Sequence, residues 1–275
     1  MASLYDELRS VLLREPLHMT SSRLDFVSRE EGLAEMDGFA NRTKTFLKEV
    51  PYLYNFLQAW LTPAFSPMLR GQLTFSWVRR YLKQNEFFRG NSLILNIGSG
   101  TKRILPQARN LDIYPFPNVD IVASVYDIPF KEGSADFIVC DSVLEHLREP
   151  EKAIHEMVRT LRSGGYLYLT VPFVYPFHAS PNDFTRWTVS GLRNLFLNEE
   201  IVKIGMRGGP AGALQGVLAH MMAMLLSFSF DPLYHLFSHF FLLIFSPIKL
   251  LDLIFSLSPQ APDIAAHLCI LVRKR

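Results

Sequence analysis

The sequence predicts an α/β protein with a mostly parallel sheet covered by helices, and three observations predict it. From residue 91 short apolar runs recur, "LILNI", "RNLDI", "DIVAS", "DFIVC" and "YLYLTV", separated by polar segments. Between the last two lies "EPEKAIHEMVRTLRSGG". It sets Ala153, Ile154, Met157, Val158 and Leu161 on one helical stripe and is expected to stop at Gly164-Gly165. A glycine pair, Gly98 and Gly100, follows the first run, at the carboxyl end of a strand, where a parallel sheet opens its ligand crevice.

The remaining elements follow in order. Residues 1–90 read as a mostly helical extension, with helical spacing in "EMDGFANRTKTFLKEVPYLYNFLQAWL", broken at Pro51, and in "LTFSWVRRYLKQN". Residues 91–207 and 264–275 carry the sheet, with two late strands expected in "EEIVKIGMR" and "AAHLCILVRKR". Residues 208–263 read as a hydrophobic helical insert before the last strand. Its first part, 211–230, runs 20 residues without a formal charge, about 30 Å as a helix, the thickness of a bilayer core. Because both ends of the insert join neighbouring strands, the chain must leave and return on one side of any membrane. That geometry excludes a single span and leaves a hairpin or surface helices.

Composition narrows the function classes. The chain has 275 residues, 49% of them hydrophobic and 20% charged, with a net charge of +2. No basic block points to nucleic acid. Cys140 and Cys269 both sit in apolar runs, which suits two buried thiols in a reducing compartment rather than a disulfide framework. Asp6 and Glu7 stand where a secretory leader would be basic, so no such leader is expected. His235 and His239 share a helical face, yet Leu236 replaces the glutamate of the zinc-protease pattern, and no metal is expected.

The glycine pair lets the backbone turn sharply and lets a ligand approach its N–H groups. A dinucleotide fingerprint would place a third glycine at position 103, where Arg103 stands. Asp112 ends the next strand, 14 residues after Gly98, and an ionised carboxylate can accept both hydroxyls of a ribose. A ligand with a ribose and no pyrophosphate suits the pattern, and S-adenosylmethionine is one.

The run "ILNIGSGTKR", "NLDIYP", "DIPFKEGSADFIVCDSVLEHL", "RTLRSGGYLYLTVPF" resembles class I S-adenosylmethionine-dependent methyltransferases, most of all the type 11 group. The resemblance covers residues 91 to about 198 and the last strand. It implies a doubly wound, mostly parallel seven-stranded, Rossmann-like sheet and S-adenosyl-L-methionine as cofactor. It implies that Asn96, Gly98, Ser99 and Gly100 cradle the methionine end, and that Asp112 and Ile113 hold the ribose. It places Asp127 and Ile128 at the adenine, and Cys140, Asp141 and Ser142 along the methionine and methyl group. Two positions depart from the pattern: Asn96 stands for an acidic residue, and Ser124 for a frequent Asp.

On the acceptor side, the resemblance makes Glu145 and His146 a pocket-lining turn. The aromatic segment 172–188 after the fifth strand holds His178 and Asp183 as candidate bases and Arg186 as a candidate substrate contact. Asp183 could instead pair with Arg186 or cap the next helix. The reading is therefore methyl transfer to a small-molecule or lipid-linked acceptor, with membrane contact through 211–248. Lys203, Arg207, Lys249 and the terminal Arg273 to Arg275 suggest the cytoplasmic face. A hydrophobic lid, or a homo-oligomer interface through the apolar insert, is the competing use of that surface. A non-catalytic scaffold of the same fold is the functional alternative, and a nicotinamide-dependent oxidoreductase a third.

Overall fold

A computed structural model describes residues 3–27, 61–64, 66, 69, 75–84, 92–101, 103–177 and 182–275. Along the chain run α1 (Leu4–Leu8), β1 (His18–Met19), β2 (Leu24–Asp25), α2 (Phe75–Gln84), β3 (Ile94–Ile97), β4 (Arg109–Asp112), β5 (Ile121–Val122) and β6 (Ala135–Asp141). They are followed by α3 (Pro150–Thr160), β7 (Leu161–Pro172), α4 (Val189–Asn194), β8 (Glu200–Gly208), α5 (Pro210–Ser227), α6 (Asp231–Ile244), α7 (Asp252–Phe255) and β9 (His267–Arg273).

The strands form one sheet in the order β1-β2-β5-β4-β3-β6-β7-β9-β8. From β5 to β8 these are the seven expected strands, parallel except for β9, which runs antiparallel to both neighbours. The strand order reverses between β3 and β6, the switch point at which such sheets bind ligands. The sheet has nine strands rather than seven because a short hairpin from the N-terminal segment joins its edge, β2 pairing in parallel with β5. Helical periodicity could not reveal a hairpin of two two-residue strands.

Side chains alternate cleanly across the sheet. Leu95, Ile97, Ile138, Cys140, Leu167, Leu169, Leu268 and Ile270 face one apolar layer with α3 and α4. Ile94, Phe137, Val139, Tyr166, Tyr168, Cys269 and Leu271 face the other with Val78 and Leu82 of α2. A strand buried on both faces reads as a continuous apolar run, which is why these segments were legible. Trp77 stacks on Tyr81 at 5.1 Å, and Tyr81 meets the edge of Tyr166 at 6.1 Å.

The helix cover is thinner than alternation implies, because turns, not helices, connect β3 to β4, β4 to β5 and β5 to β6. The α3 helix also stops earlier than expected. Leu161 already has extended backbone (φ −65°, ψ 139°) and opens β7 opposite Ala135. Gly164 and Gly165 serve a bend inside that strand: Gly164 has φ +74°, and a Cβ on Gly165 would sit 2.9 Å from the Arg162 carbonyl oxygen.

Between β8 and β9, α5 and α6 form a helical hairpin, turned through Phe228 and Ser229 in left-handed conformation (φ 49° and 63°). Gln215 Nε2 donates to the Leu242 carbonyl at 2.7 Å across it. Asp252 caps the start of α5, its Oδ1 accepting from Ala211 N at 2.9 Å, and fully buried Lys249 donates to the Thr62 carbonyl at 2.6 Å. These bonds hold the insert together and tie it to the segment at Thr62. Among the described residues α5 is the one helix long and apolar enough to cross a bilayer, with mean hydropathy 1.2. Half of its apolar window is buried in the protein, and α6 with Ser246–Phe255 would make a second such stretch across a 43° bend.

Candidate functional site

The site is built at the carboxyl ends of β3, β4, β6, β7 and β8. After β3 the chain turns through Gly98 (φ +63°) and Gly100 (φ +54°). The two glycines answer different demands. A Cβ on Gly98 would lie 2.3 Å from Val143 Cγ2, so Gly98 lets the turn pack against the segment after β6. A Cβ on Gly100 would meet nothing within 4 Å, so Gly100 faces open space with its backbone accessible. Gly100 N donates to Asp112 Oδ2 at 2.7 Å, and Tyr114 N donates to Oδ1 at 3.0 Å. Burial pushes the Asp112 carboxyl above its usual range, and these backbone N–H groups offset part of that. With the Ile113 N–H also acting on it, the carboxylate keeps acceptor capacity for a further donor. Ser99 is buried, its N–H bonded to the Leu111 carbonyl, while Ile113 is exposed beside Asp112.

Arg103 leaves this turn. Its guanidinium donates to the Ala108 carbonyl at 2.7 Å, to the Asn118 carbonyl at 3.0 Å and to Asp120 at 2.9 Å. No helix starts behind the glycines, so the dipole that holds a pyrophosphate is missing here. The donor set therefore fits a ribose-bearing ligand without a pyrophosphate: a carboxylate pinned beside an open glycine turn.

At the ends of β6, β7 and β8 a second cluster forms. Arg207 of β8 pairs with Asp141, and the same nitrogen lies 3.3 Å from both Ser142 Oγ and Thr170 Oγ1. Thr170 Oγ1 donates to Asp141 Oδ1 at 2.6 Å. Ser142 has φ 59°, an unfavourable conformation for a residue with a side chain. Sequence reasoning missed Arg207 as a site residue and read it as a surface charge before the insert. An arginine at the carboxyl end of a strand, on the side where the other strands carry the site, was the available signal.

The third part joins two segments that look unrelated in sequence. A 3₁₀ turn, Leu144–His146, follows β6, and the 182–187 segment returns to it. Phe184 N donates to the Glu145 carbonyl at 2.7 Å, and His146 Nδ1 lies 2.6 Å from the Asn182 carbonyl oxygen. Asp183 is held by Arg186 through both carboxylate oxygens. Glu145 is fully buried, and neither of its oxygens has a hydrogen-bond partner among the described residues. Burial, aided by the Asp141 carboxylate, pushes its carboxyl up to about 8. Burial lowers His146, and pushes the Tyr175 hydroxyl up to about 12.

Other candidates take other places. Asn96 is buried inside the sheet, its amide donating to Asn110 Oδ1 at 3.0 Å, so it stitches β3 to β4. Asp127 pairs with Arg14 at 2.7 Å, and Ile128 lies wholly in the core, so neither side chain joins the cluster. His178 lies outside the described residues. Neither cysteine is in a disulfide and both are buried, Cys140 at the end of β6 and Cys269 in β9.

A family described as "Methyltransferase domain" matches residues 95–169. A protein of Streptomyces fradiae described only as an uncharacterized 37.1 kDa protein of a transposon is 26% identical over 115 residues, 42% of this chain and 32% of that one. The match thus spans about a third of that relative's length. Among solved structures, phosphoethanolamine N-methyltransferase 2 of Haemonchus contortus in complex with S-adenosyl-L-methionine is 13% identical with a TM-score of 0.45, over 84% of this chain and 59% of that one. An S-adenosylmethionine-dependent methyltransferase of Mesorhizobium loti is 11% identical with a TM-score of 0.39, over 67% and 92%. The matched segment runs from the glycine turn through Asp112 and the β6 turn into β7, so residues 95–169 are similar to a methyltransferase domain.

Proposed function

We propose that the protein methylates a small-molecule or lipid-linked acceptor that reaches the site from an apolar surface, on the cytoplasmic face of a membrane. When bound, S-adenosylmethionine supplies a methyl group activated on a sulfonium. The protein's part is then to hold the ribose at Asp112 and the backbone at Gly98 to Gly100, and to align the nucleophile.

One observation carries the membrane reading: the insert leaves the sheet at the same edge as the site. Gly208 ends β8 opposite His267, which also pairs with Pro172 at the end of β7. Arg207 of the acidic cluster lies one residue before Gly208, and a Cβ on Gly216 of α5 would sit 3.3 Å from Pro176 in the segment after β7. Beyond that anchor the hairpin exposes Met221, Met224, Leu225, Phe228, Leu236 and Phe240. Between residues 210 and 264 the exposed formal charges are Asp231 and Asp263, because Lys249 and Asp252 are buried. An apolar face of this extent with so few charges suits hydrocarbon. The basic residues expected to meet headgroups are engaged elsewhere: Arg207 with Asp141, Lys249 with Thr62, Lys203 over the Trp77 ring at 4.7 Å. Lipid binding through this face is thus expected to resist salt, and buried thiols outside any disulfide suit the cytoplasmic side.

Calorimetric titration with S-adenosylmethionine, S-adenosylhomocysteine and NAD tests the cofactor, with binding of the first two and not the third expected. Flotation with neutral phosphatidylcholine vesicles tests the surface. A monodisperse dimer that ignores vesicles would assign the apolar face to a second copy instead. The Asn96–Asn110 pair, which puts a neutral amide where the family has an acid, favours a second reading as a non-catalytic scaffold; absence of cofactor binding by a folded sample would establish it.

A further inference from the structure

Three carboxyl groups meet beside the carboxyl end of β6, and only two are neutralised within the protein. Arg207 pairs with Asp141, and Arg186 grips Asp183. Glu145 has zero exposure and no hydrogen-bond partner for either oxygen among the described residues. The adjacent cation candidate is a poor one: His146 Nε2 is 3.8 Å from Glu145 Oε1, and burial disfavours its charged form. The other groups whose charge reaches this carboxyl are Cys140, Asp141, Asp183, Arg186 and Tyr175. Leaving a buried carboxyl without a donor costs stability. A fold that keeps one in the turn after β6, at the end of the sheet that carries the glycine turn, marks a functional group.

We infer that Glu145 receives the proton of the acceptor's nucleophile, so that the acceptor is a hydroxyl or an amine rather than a carboxylate or a thioether. The inference rests on the methyltransferase reading. In the step, the nucleophile's oxygen or nitrogen forms a bond to the methyl carbon. The carbon–sulfur bond breaks with its electron pair going to sulfur, and the proton passes to a Glu145 oxygen. A carboxyl that titrates near 8 is a better base than an exposed one, and is ionised enough near neutrality to act. Asp183, the expected base, is the less suited group because Arg186 occupies both its oxygens.

The test needs no knowledge of the acceptor. Sinefungin carries an amine on the carbon that replaces the methyl-bearing sulfonium. If Glu145 faces that point, wild-type protein binds sinefungin about tenfold more tightly than S-adenosylhomocysteine. Sinefungin binding at pH 7 also releases about one proton more, because the protonated carboxyl must ionise to pair with the ammonium. In Glu145→Gln the preference falls to about onefold while S-adenosylhomocysteine affinity holds within about twofold. A preference that survives Glu145→Gln overturns the inference, as does wild-type binding with no extra proton release, a readout that needs no variant. Wild-type protein that binds neither compound overturns the methyltransferase reading itself.

Discussion

The sheet and the insert are built from the same kind of residue and use it in opposite ways. In β6, β7 and β9 the apolar side chains vanish into two layers, with Ile138, Leu167, Leu169 and Ile270 all at zero exposure. In the α5–α6 hairpin, side chains of equal size stand in solvent, Phe228 at 85% and Leu225 at 68%. Apolar surface in the sheet is accounted for by folding. Among the described residues that of the hairpin is not, and the proposed apolar contact would use it. The site sits on the seam between the two.

Four variants break or sharpen this contrast. The largest effect belongs to the site. Asp112→Ala removes the ribose carboxylate and the acceptor that holds Gly100 N, and should weaken S-adenosylhomocysteine binding by about a hundredfold in calorimetry. Unchanged affinity would move the ribose elsewhere. Next comes the sheet: Leu169→Ala leaves a cavity in a fully buried layer and should cost about 3 kcal/mol in urea unfolding.

Glu145→Gln should have an effect that depends on pH. The wild-type carboxyl ordinarily titrates near 4.5 and near 8 in the folded protein, so the native state binds more protons across that window. Stability is therefore complete below about 4.5 and is lost as pH rises toward about 8, by at most about 1.4 kcal/mol per pH unit. The variant should gain on wild type across that window in thermal melts and hold a constant lead above it. An advantage that does not grow with pH would contradict the burial of this carboxyl.

The smallest effect on stability belongs to the hairpin. Phe228→Ser should change unfolding by less than about 0.5 kcal/mol, since the ring is exposed. Combined with Leu225→Ser it should nonetheless abolish vesicle flotation. A loss of several kcal/mol on Phe228→Ser would show that the hairpin packs as part of the core.

Legibility in the sequence followed burial. The seven main strands could be read because residues buried on both faces must be apolar in unbroken runs. The insert could be read because its charges are so few. The hairpin of β1 and β2 could not, because two-residue strands owe their existence to β5 alongside them, not to local pattern. Gly98, Gly100 and Asp112 were legible as a motif, being close in sequence and bound by backbone geometry. The bond from the Asn96 amide to Asn110 was not legible, because its partner is a neighbour across strands rather than along the chain.

By itself, then, the sequence determined the α/β class, the glycine turn with its carboxylate, and the apolar insert, since periodicity, turn chemistry and composition are local properties. Only the tertiary structure decided which carboxylates remain free to act. Arg207 reaches Asp141 from a strand 66 residues later, and Arg186 closes on Asp183 beside a turn about 40 residues earlier in the chain. Ion pairing depends on distance in space, and what it leaves over beside Asp141 and Asp183 is Glu145, buried with no partner for either oxygen among the described residues.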